Sequence, residues 1–125
     1  MTETIAGITI PDTALVREAT DLVLEAATPM LFHHSRRVFL FGILKGRHRG
    51  LRADPELPYV GAMFHDLGLT ERYQRTDQRF EIDGADLARD FVLDHGRSAA
   101  EAGAVWLSIA LRITPGVPRA PRLRW

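Results

Sequence analysis

The most chemically suggestive feature of the sequence is an adjacent histidine and aspartate, the His65-Asp66 doublet, near the end of a predicted helix. Neighbouring side chains on a helix diverge by only about 100°, so this imidazole and this carboxylate can converge on one cation. A plainer interpretation is an aspartate that contributes to the helix terminus beside a packed histidine. The doublet alone does not separate these interpretations, because a metal site needs a further ligand from another element.

His34 is the candidate for that further ligand. Helical spacing places it between Leu31 and Val38 on the apolar face of a predicted helix, while its neighbour His33 points about 100° away. A buried histidine needs a partner, and this partner is either a backbone carbonyl group or a metal ion. Two neutral imidazoles and one carboxylate would leave a divalent ion with residual positive charge and open coordination positions, as in catalytic metal sites.

Arg37 is a candidate for a role in catalysis, because it follows His34 by about one helical turn and can point towards the same pocket. There it would bind an anion or a substrate oxygen, whereas on an open surface it would be solvated. Other polar residues have a structural explanation. Carboxylates that open a predicted helix complement the helix dipole, and a histidine beside a glycine fits the C-terminal cap of the same helix. These residues are Glu81, Asp83 and Asp86, and His95 with Gly96.

Hydrophobic periodicity predicts an all-α fold of five helices with no strand. The helices are predicted at about residues 11–27, 30–46, 55–67, 83–95 and 99–114. Their boundaries depend on residues that cap free backbone groups or break a helix. These residues are Thr9 before helix one, Asp54 before Pro55, Gly68 after helix three, Ser98 with Glu101, and Pro115.

The length of 125 residues leaves room for one domain. We assign residues 1–114 to the helical domain and residues 115–125, with three prolines and three arginines, to an extended tail. The polar segment 70–79 is predicted to be an exposed loop, and such a loop can act as a lid. The absence of cysteine excludes disulfides and thiol chemistry.

Charge and hydropathy narrow the range of partners. The sequence has 16 basic and 16 acidic side chains, and this balance argues against a nucleic-acid binder. The longest apolar runs fall far short of the ~20 residues of a membrane span, and the first residues lack the pattern of a secretory signal. We therefore expect a cytoplasmic protein with a small-molecule substrate and with neither a nucleic-acid nor a membrane partner.

Three segments carry a resemblance to a known family: residues 32–42, FHHSRRVFLFG; residues 59–70, YVGAMFHDLGLT; and residues 79–89, RFEIDGADLAR. They resemble the HD-domain superfamily of metal-dependent phosphohydrolases, and within it the subgroup that includes cyanamide hydratase-like proteins. The resemblance covers about residues 9–118. It implies a helical bundle with one divalent metal ion, bound by His34, His65, Asp66 and a later aspartate. Zn, Fe, Mn and Ni fit these ligands equally.

The function implied by the resemblance is that of a metal-dependent hydrolase or hydratase. Metal-bound water would attack a phosphoester or a small nitrile such as cyanamide, and Asp66 would also accept a proton. The chain ends before the family's later aspartate and has Arg112 where members commonly have histidine. The alternative is therefore a non-catalytic or truncated HD-like helical module. A third hypothesis is a non-haem iron oxygenase, because these enzymes bind their metal with similar ligands. The oxygenases of the HD superfamily, however, need a second metal and further histidines that this sequence does not show.

The missing later helix has a structural consequence as well. In the family, that helix would cover part of the bundle. We therefore expect exposed apolar surface on helices one, two or five, which a second copy of the chain would cover in a homo-oligomer.

Overall fold

The computed structural model describes residues 3–5, 7–48, 54–74 and 78–111, and it confirms the predicted all-α fold. Five helices lie in these ranges: α1 (Ala14–Ala26), α2 (Pro29–His48), α3 (Glu56–Phe64), α4 (Phe80–Asp94) and α5 (Ala99–Ala110). A 3₁₀ turn, Leu67–Leu69, follows α3, and two short strands, β1 (Glu3–Ile5) and β2 (Ile8–Ile10), precede α1. The predicted tail at residues 115–125 lies outside the described residues.

The two strands form an antiparallel hairpin that the periodicity did not predict. Gly7 lies between them with φ +79°, a backbone conformation that glycine adopts without steric cost. Ile8 and Ile10 lie on one side of β2 and are buried in the core. A strand of three residues is too short to give a recognisable alternation, which explains why the sequence pattern missed it.

α1 begins later than predicted, because the predicted cap is the wrong residue. Thr9 lies in β2, where its hydroxyl oxygen is 3.3 Å from that of Thr4 across the hairpin. Thr13 is the N-cap instead, and its Oγ1 accepts a hydrogen bond from the backbone N–H of Val16 at 3.2 Å. The helix therefore starts at Ala14 rather than at residue 11.

α3 is the central helix and contacts each of the other four helices. Tyr59, Val60, Met63 and Phe64 are its fully buried side chains. The Tyr59 hydroxyl lies 2.6 Å from Oγ1 of Thr20 in α1, and burial raises the pKa of this phenol. These contacts surround α3 and hold its C-terminal end in a defined position.

α2 buries a different face from the one that its periodicity predicted. The predicted face is half-buried or exposed: Leu31, His34, Val38, Phe41 and Lys45. The buried side chains are Phe32, Ser35 and Phe39. The Phe39 ring packs against Tyr59 of α3, with 5.0 Å between the ring centroids. Because α2 has apolar residues on both faces, its periodicity does not determine which face meets the bundle.

Two glycines allow a close approach between the start of α4 and the end of α3. Gly68 does not end α3 as a C′ residue, contrary to the prediction; it lies in the 3₁₀ turn, where a side chain would collide with the Phe80 carbonyl group. At Gly84, a Cβ atom would lie 2.7 Å from the carbonyl oxygen of Phe64. α4 therefore packs directly on the backbone of Phe64 and His65, and it starts at Phe80 rather than at residue 83.

The predicted start of α5 and end of α4 are confirmed. Ser98 Oγ accepts a hydrogen bond from the N–H of Glu101 at 3.1 Å, and Glu101 Oε1 accepts one from the N–H of Ser98 at 3.0 Å. This reciprocal pair is the predicted capping box. Gly96 follows α4 with φ +84°. Within the described ranges, no helix combines the length and the apolar character needed to cross a bilayer.

Candidate metal centre

The end of α3 positions the His65-Asp66 doublet. Phe64 is the last α3 residue, His65 keeps helical dihedrals of φ −60° and ψ −29°, and Asp66 leaves the helix with φ −107° and ψ 8°. The last carbonyl groups of a helix lack intrahelical donors, so a side chain at this end can bind them. The His65-Asp66 doublet therefore lies at the end of a buried helix, beside backbone carbonyl groups that can accept hydrogen bonds from side chains.

The structure brings together His34, His65 and Asp66, the three residues that the sequence singles out as candidate ligands; metal binding by them stays a prediction. Nε2 of His65 is 3.1 Å from Oδ2 of Asp66, and Nε2 of His34 is 3.6 Å from the same oxygen. The two imidazole rings have their centroids 5.7 Å apart. One ligand atom from each residue can be chosen so that all three lie within 4.8 Å of one another.

The hydrogen bond of the His65 ring fixes its tautomer. Nδ1 of His65 lies 2.5 Å from the carbonyl oxygen of Ala62, in the last turn of α3. A carbonyl oxygen only accepts hydrogen bonds, so Nδ1 must carry the proton and donate it. In the neutral ring, Nε2 then has a lone pair, and this lone pair faces the carboxylate of Asp66. Two such electron-rich groups at 3.1 Å need a cation between them, either a proton on the ring or a metal ion.

The three residues fit a divalent metal ion. Ligand atoms that share an ion at about 2.1 Å lie about 3.4 Å apart in a tetrahedral site, which is close to the 3.1 and 3.6 Å measured here. A histidine ligand usually donates its second ring N–H to a carbonyl or carboxylate oxygen, and the Ala62 carbonyl serves this purpose for His65. The donor chemistry and the orientation of the ring therefore both suit metal binding.

The site is open to solvent on the α2 side. The side chain of Asp66 is 16% exposed and that of His65 is 29% exposed, whereas His34 is 49% exposed. Three protein ligands would leave coordination positions for water and substrate, which is the arrangement of catalytic rather than structural sites. The prediction that His34 lies on a buried apolar face was therefore wrong, although its proximity to the doublet was correct.

Arg37 is exposed and lies on α2, three residues after His34. This spacing places both residues on the same side of the helix. The described contacts do not join its guanidinium group to His34, His65 or Asp66. Arg37 is therefore adjacent to the candidate centre along α2, and its role in binding stays a prediction.

The acidic residues that open α4 serve the packing of the bundle. Asp83 is buried and accepts a hydrogen bond from the Gln78 side-chain amide at 2.6 Å. Asp86 accepts one from the indole N–H of Trp106 in α5 at 2.8 Å. His95 lies at the end of α4, and its Nδ1 is 2.8 Å from the Phe91 carbonyl oxygen. Glu81 and Asp83 do lie in the first turn of α4, where the sequence placed charges that complement the helix dipole, whereas the bond from Trp106 to Asp86 was not predicted.

Family comparison supports the metal-centre interpretation. The sequence matches the HD domain family over residues 31–113, a range that begins in α2 and contains all three clustered residues. The chain belongs to the HD-domain family. HD domains form a superfamily of metal-dependent phosphohydrolase type and generally bind divalent metal ions. A search among curated proteins finds no match.

Two features of this HD domain's site were not predicted from its sequence. The first is the Ala62 carbonyl group, whose role depends on the exact end of α3 and leaves no mark on the residue type. The second is Gly84, where a Cβ atom would also lie 3.2 Å from the carbonyl oxygen of His65. A glycine inside a helical pattern is a signal of close backbone approach, and this signal could have identified Gly84.

Proposed function

We propose that this HD domain is a metal-dependent hydrolase with one divalent ion held by His34, His65 and Asp66. The observation that carries the proposal is the convergence of two imidazole Nε2 atoms on Oδ2 of Asp66. A bound divalent ion would supply Lewis acidity and activate water for attack on the substrate. The donor set suits Zn, Fe, Mn or Ni.

Each residue of the cluster has a separate task in this proposal. The Ala62 carbonyl holds the His65 ring in the tautomer that presents Nε2 to the centre. Asp66 neutralises part of the cationic charge with Oδ2, and a carboxylate can also accept a proton during hydrolysis. His34 is the most exposed of the three, so substrate approaches the centre beside it.

Arg37 is the proposed substrate-binding residue. Arg37 is exposed and follows His34 by three residues, so it lies on the same side of α2 as the most exposed ligand. Guanidinium binds phosphate oxygens with paired, charge-assisted hydrogen bonds. Arg37 would therefore bind an anionic substrate. This binding would add to the attraction between the substrate and the residual positive charge of the metal centre.

A phosphoester is the substrate class that this charge distribution favours, since two imidazoles and one carboxylate leave a divalent centre positive beside an arginine. A small nitrile such as cyanamide is the second candidate, carried by the resemblance of residues 32–42, 59–70 and 79–89 to cyanamide hydratase-like proteins. The two classes differ in charge. Arg37→Gln is expected to raise KM for a phosphoester and to leave KM for neutral cyanamide unchanged.

Turnover assays test the proposal. Purified protein loaded in turn with Zn, Fe, Mn and Ni is assayed on phosphomonoesters, nucleotides and cyanamide. Activity should disappear in Asp66→Ala and persist in His33→Ala, because His33 is exposed and is not part of the cluster.

A non-catalytic HD-like module is the alternative that the same experiment addresses. It predicts no turnover with any metal. Equal metal content in the unmodified protein and in His65→Ala would also contradict a site built on the doublet, with His33→Ala again as the matched control.

A further inference from the structure

An exposed stripe runs along α2 and continues beyond the candidate metal centre. Its members are spaced by four, three, four and three residues: Met30, His34, Arg37, Phe41 and Leu44. This spacing keeps the side chains within about 100° of one another around the helix, as in the a and d positions of a coiled coil. Met30 is 77% exposed and Phe41 is 63% exposed, which is unusual for large apolar side chains that share one helix face.

The stripe is cationic as well as apolar. α2 contains no aspartate or glutamate in its 20 residues and has four basic ones: Arg36, Arg37, Lys45 and Arg47. Arg36 is ion-paired with Glu3 of the hairpin, with 2.5 Å between the charged atoms. Arg37 and Lys45 are exposed, one in the stripe and one at its edge. The apolar groups of the stripe are thus accompanied by two exposed positive charges on the same helix.

The spacing and the charge together point to one kind of occupant. We propose that the α2 stripe docks an acidic amphipathic helix of a partner protein. The partner's apolar side chains would pack between Met30, Phe41 and Leu44. Its carboxylates would lie opposite Arg37 and Lys45, which are eight residues apart and therefore separated by about 12 Å along the helix.

Charge disfavours the pairing of α2 with a second copy of itself. A second copy of α2 packed on the first would bring a helix without acidic residues against another such helix. Arg37 and Lys45 of each copy would find no acidic residue on the facing α2 with which to pair. A partner helix with acidic flanks has the opposite effect, since it neutralises both exposed cations.

The proposal goes beyond the hydrolase activity, and it implies that a docked helix and an anionic substrate compete for Arg37 and for the open side of the centre. His34 lies inside the stripe, so a docked helix would pass over the open side of the metal centre. The residues chosen for the test, Phe41 and Lys45, lie outside the proposed binding machinery. A failed docking experiment therefore leaves the hydrolase proposal intact, and a failed activity assay leaves the docking proposal intact.

Fluorescence anisotropy with synthetic peptides tests the docking. The probe is a labelled peptide, three heptads long, with leucine at a and d and glutamate at e and g; a second peptide has lysine at e and g. The full chain should bind the acidic peptide, and the basic peptide at least about tenfold more weakly. Phe41→Ser should weaken acidic-peptide binding about tenfold. Lys45→Glu should reduce the preference for the acidic peptide.

Leu24→Ser is the matched control, because Leu24 is a similarly exposed apolar residue on α1, outside the stripe. It should leave peptide binding unchanged, and thermal melting should show that all variants are folded. Equal binding of the two peptides, or unaltered binding in Phe41→Ser, would overturn the proposal. The proposal would also be overturned if neither peptide binds and the chain instead forms a dimer in sedimentation experiments, or binds phosphatidylserine vesicles, and Phe41→Ser abolishes that dimer or that binding.

Discussion

The imidazole of His65 donates a hydrogen bond from Nδ1 to the carbonyl oxygen of Ala62, three residues earlier in the last turn of α3. This bond determines which ring nitrogen faces Asp66, and so it links the end of a buried helix to the chemistry of the candidate metal centre.

Asp66→Asn should weaken metal binding while leaving the fold intact. The amide has nearly the same shape as the carboxylate but lacks its negative charge, and Oδ2 is the atom on which both histidines converge. Loss of a supporting group around a metal typically costs about 10–100-fold in affinity, so loss of a charged ligand should cost at least that much. Isothermal titration with Zn or Mn measures the change.

The matched control for this prediction is Asp90→Asn. Asp90 is an exposed aspartate of α4 that pairs with neighbouring Arg89, so its substitution should not alter metal affinity. Equal affinity of Asp66→Asn and the unmodified protein would exclude Asp66 as a ligand.

Gly84→Ala should destabilise the protein, because a Cβ atom would lie 2.7 Å from the carbonyl oxygen of Phe64 and 3.2 Å from that of His65. Both neighbours are backbone atoms of the α3 end, so α4 must shift. Overpacking of this kind typically costs about 1–3 kcal/mol in the free energy of unfolding, measured by urea denaturation.

Gly103→Ala in α5 is the control, because a Cβ atom there meets nothing within 4 Å. Alanine in an open helical position should raise the free energy of unfolding by about 0.5–1 kcal/mol. If both substitutions have the same sign and size, the close approach at Gly84 does not matter for stability.

Thr20→Val should cost more stability than Tyr59→Phe, although both remove the same hydrogen bond. The Thr20 hydroxyl donates to the Val16 carbonyl oxygen at 2.8 Å, so the Tyr59 hydroxyl must be the donor to Thr20. Tyr59→Phe leaves Thr20 with its backbone bond and should cost about 1 kcal/mol. Thr20→Val leaves a buried phenol without this acceptor and should cost about 1–3 kcal/mol. Urea denaturation of both variants gives the order, and the reverse order would refute this assignment of donor and acceptor.

Acid should destabilise the protein through the ion pairs of Arg97. Its guanidinium group binds Glu101 of α5 at 2.8 Å and Asp54 before α3 at 2.9 Å. Hydrogen bonds from Arg97, and then from the backbone N–H of Ser98, lower the pKa of Glu101 from 4.5 to about 2. The pKa of Asp54 is also lowered, mainly by the backbone N–H of Glu56 and then by Arg97.

Because these pKa values are lower in the folded state, the unfolded state binds more protons in acid. The stabilisation is complete above about pH 4.5 and is lost as pH falls towards 2. We expect the free energy of unfolding, measured by urea denaturation, to differ less between about pH 6 and about pH 3 in Arg97→Gln than in the unmodified protein. High salt should weaken the effect, since the carboxylates are exposed. Arg72→Gln is the control: its partner Glu25 is 3.9 Å away, so this variant should keep the original pH dependence of stability. If Arg97→Gln also keeps it, the ion pairs of Arg97 do not cause the loss of stability in acid.

The candidate ligands could be predicted from the sequence because their residue types are few and their elements are regular. His65 and Asp66 are adjacent, and a helix end brings adjacent side chains towards one point. The capping box of Ser98 and Glu101 is similarly local, since it depends only on residues within one turn. Local interactions of this kind need no knowledge of the tertiary fold.

The orientation of α2 could not be predicted, because it depends on what the helix packs against. Phe39 and Phe41 are both large and aromatic, yet only Phe39 meets Tyr59 in the core. The sequence pattern selected the face that contains His34 and Phe41, and this face is open to solvent. The hairpin at Thr9 was missed for a related reason, since its pairing with Thr4 lies outside any helical or alternating pattern.

The most direct test of the central claim is anomalous diffraction from crystals of the protein grown with Zn or Mn. We expect one ion at about 2.0–2.2 Å from Nε2 of His34, Nε2 of His65 and a carboxylate oxygen of Asp66. The Ala62 carbonyl should still accept the hydrogen bond from His65 Nδ1. Crystals without an ion at this position, or an ion that leaves Asp66 and both histidines unbound, would contradict the claim that these three residues form a metal centre.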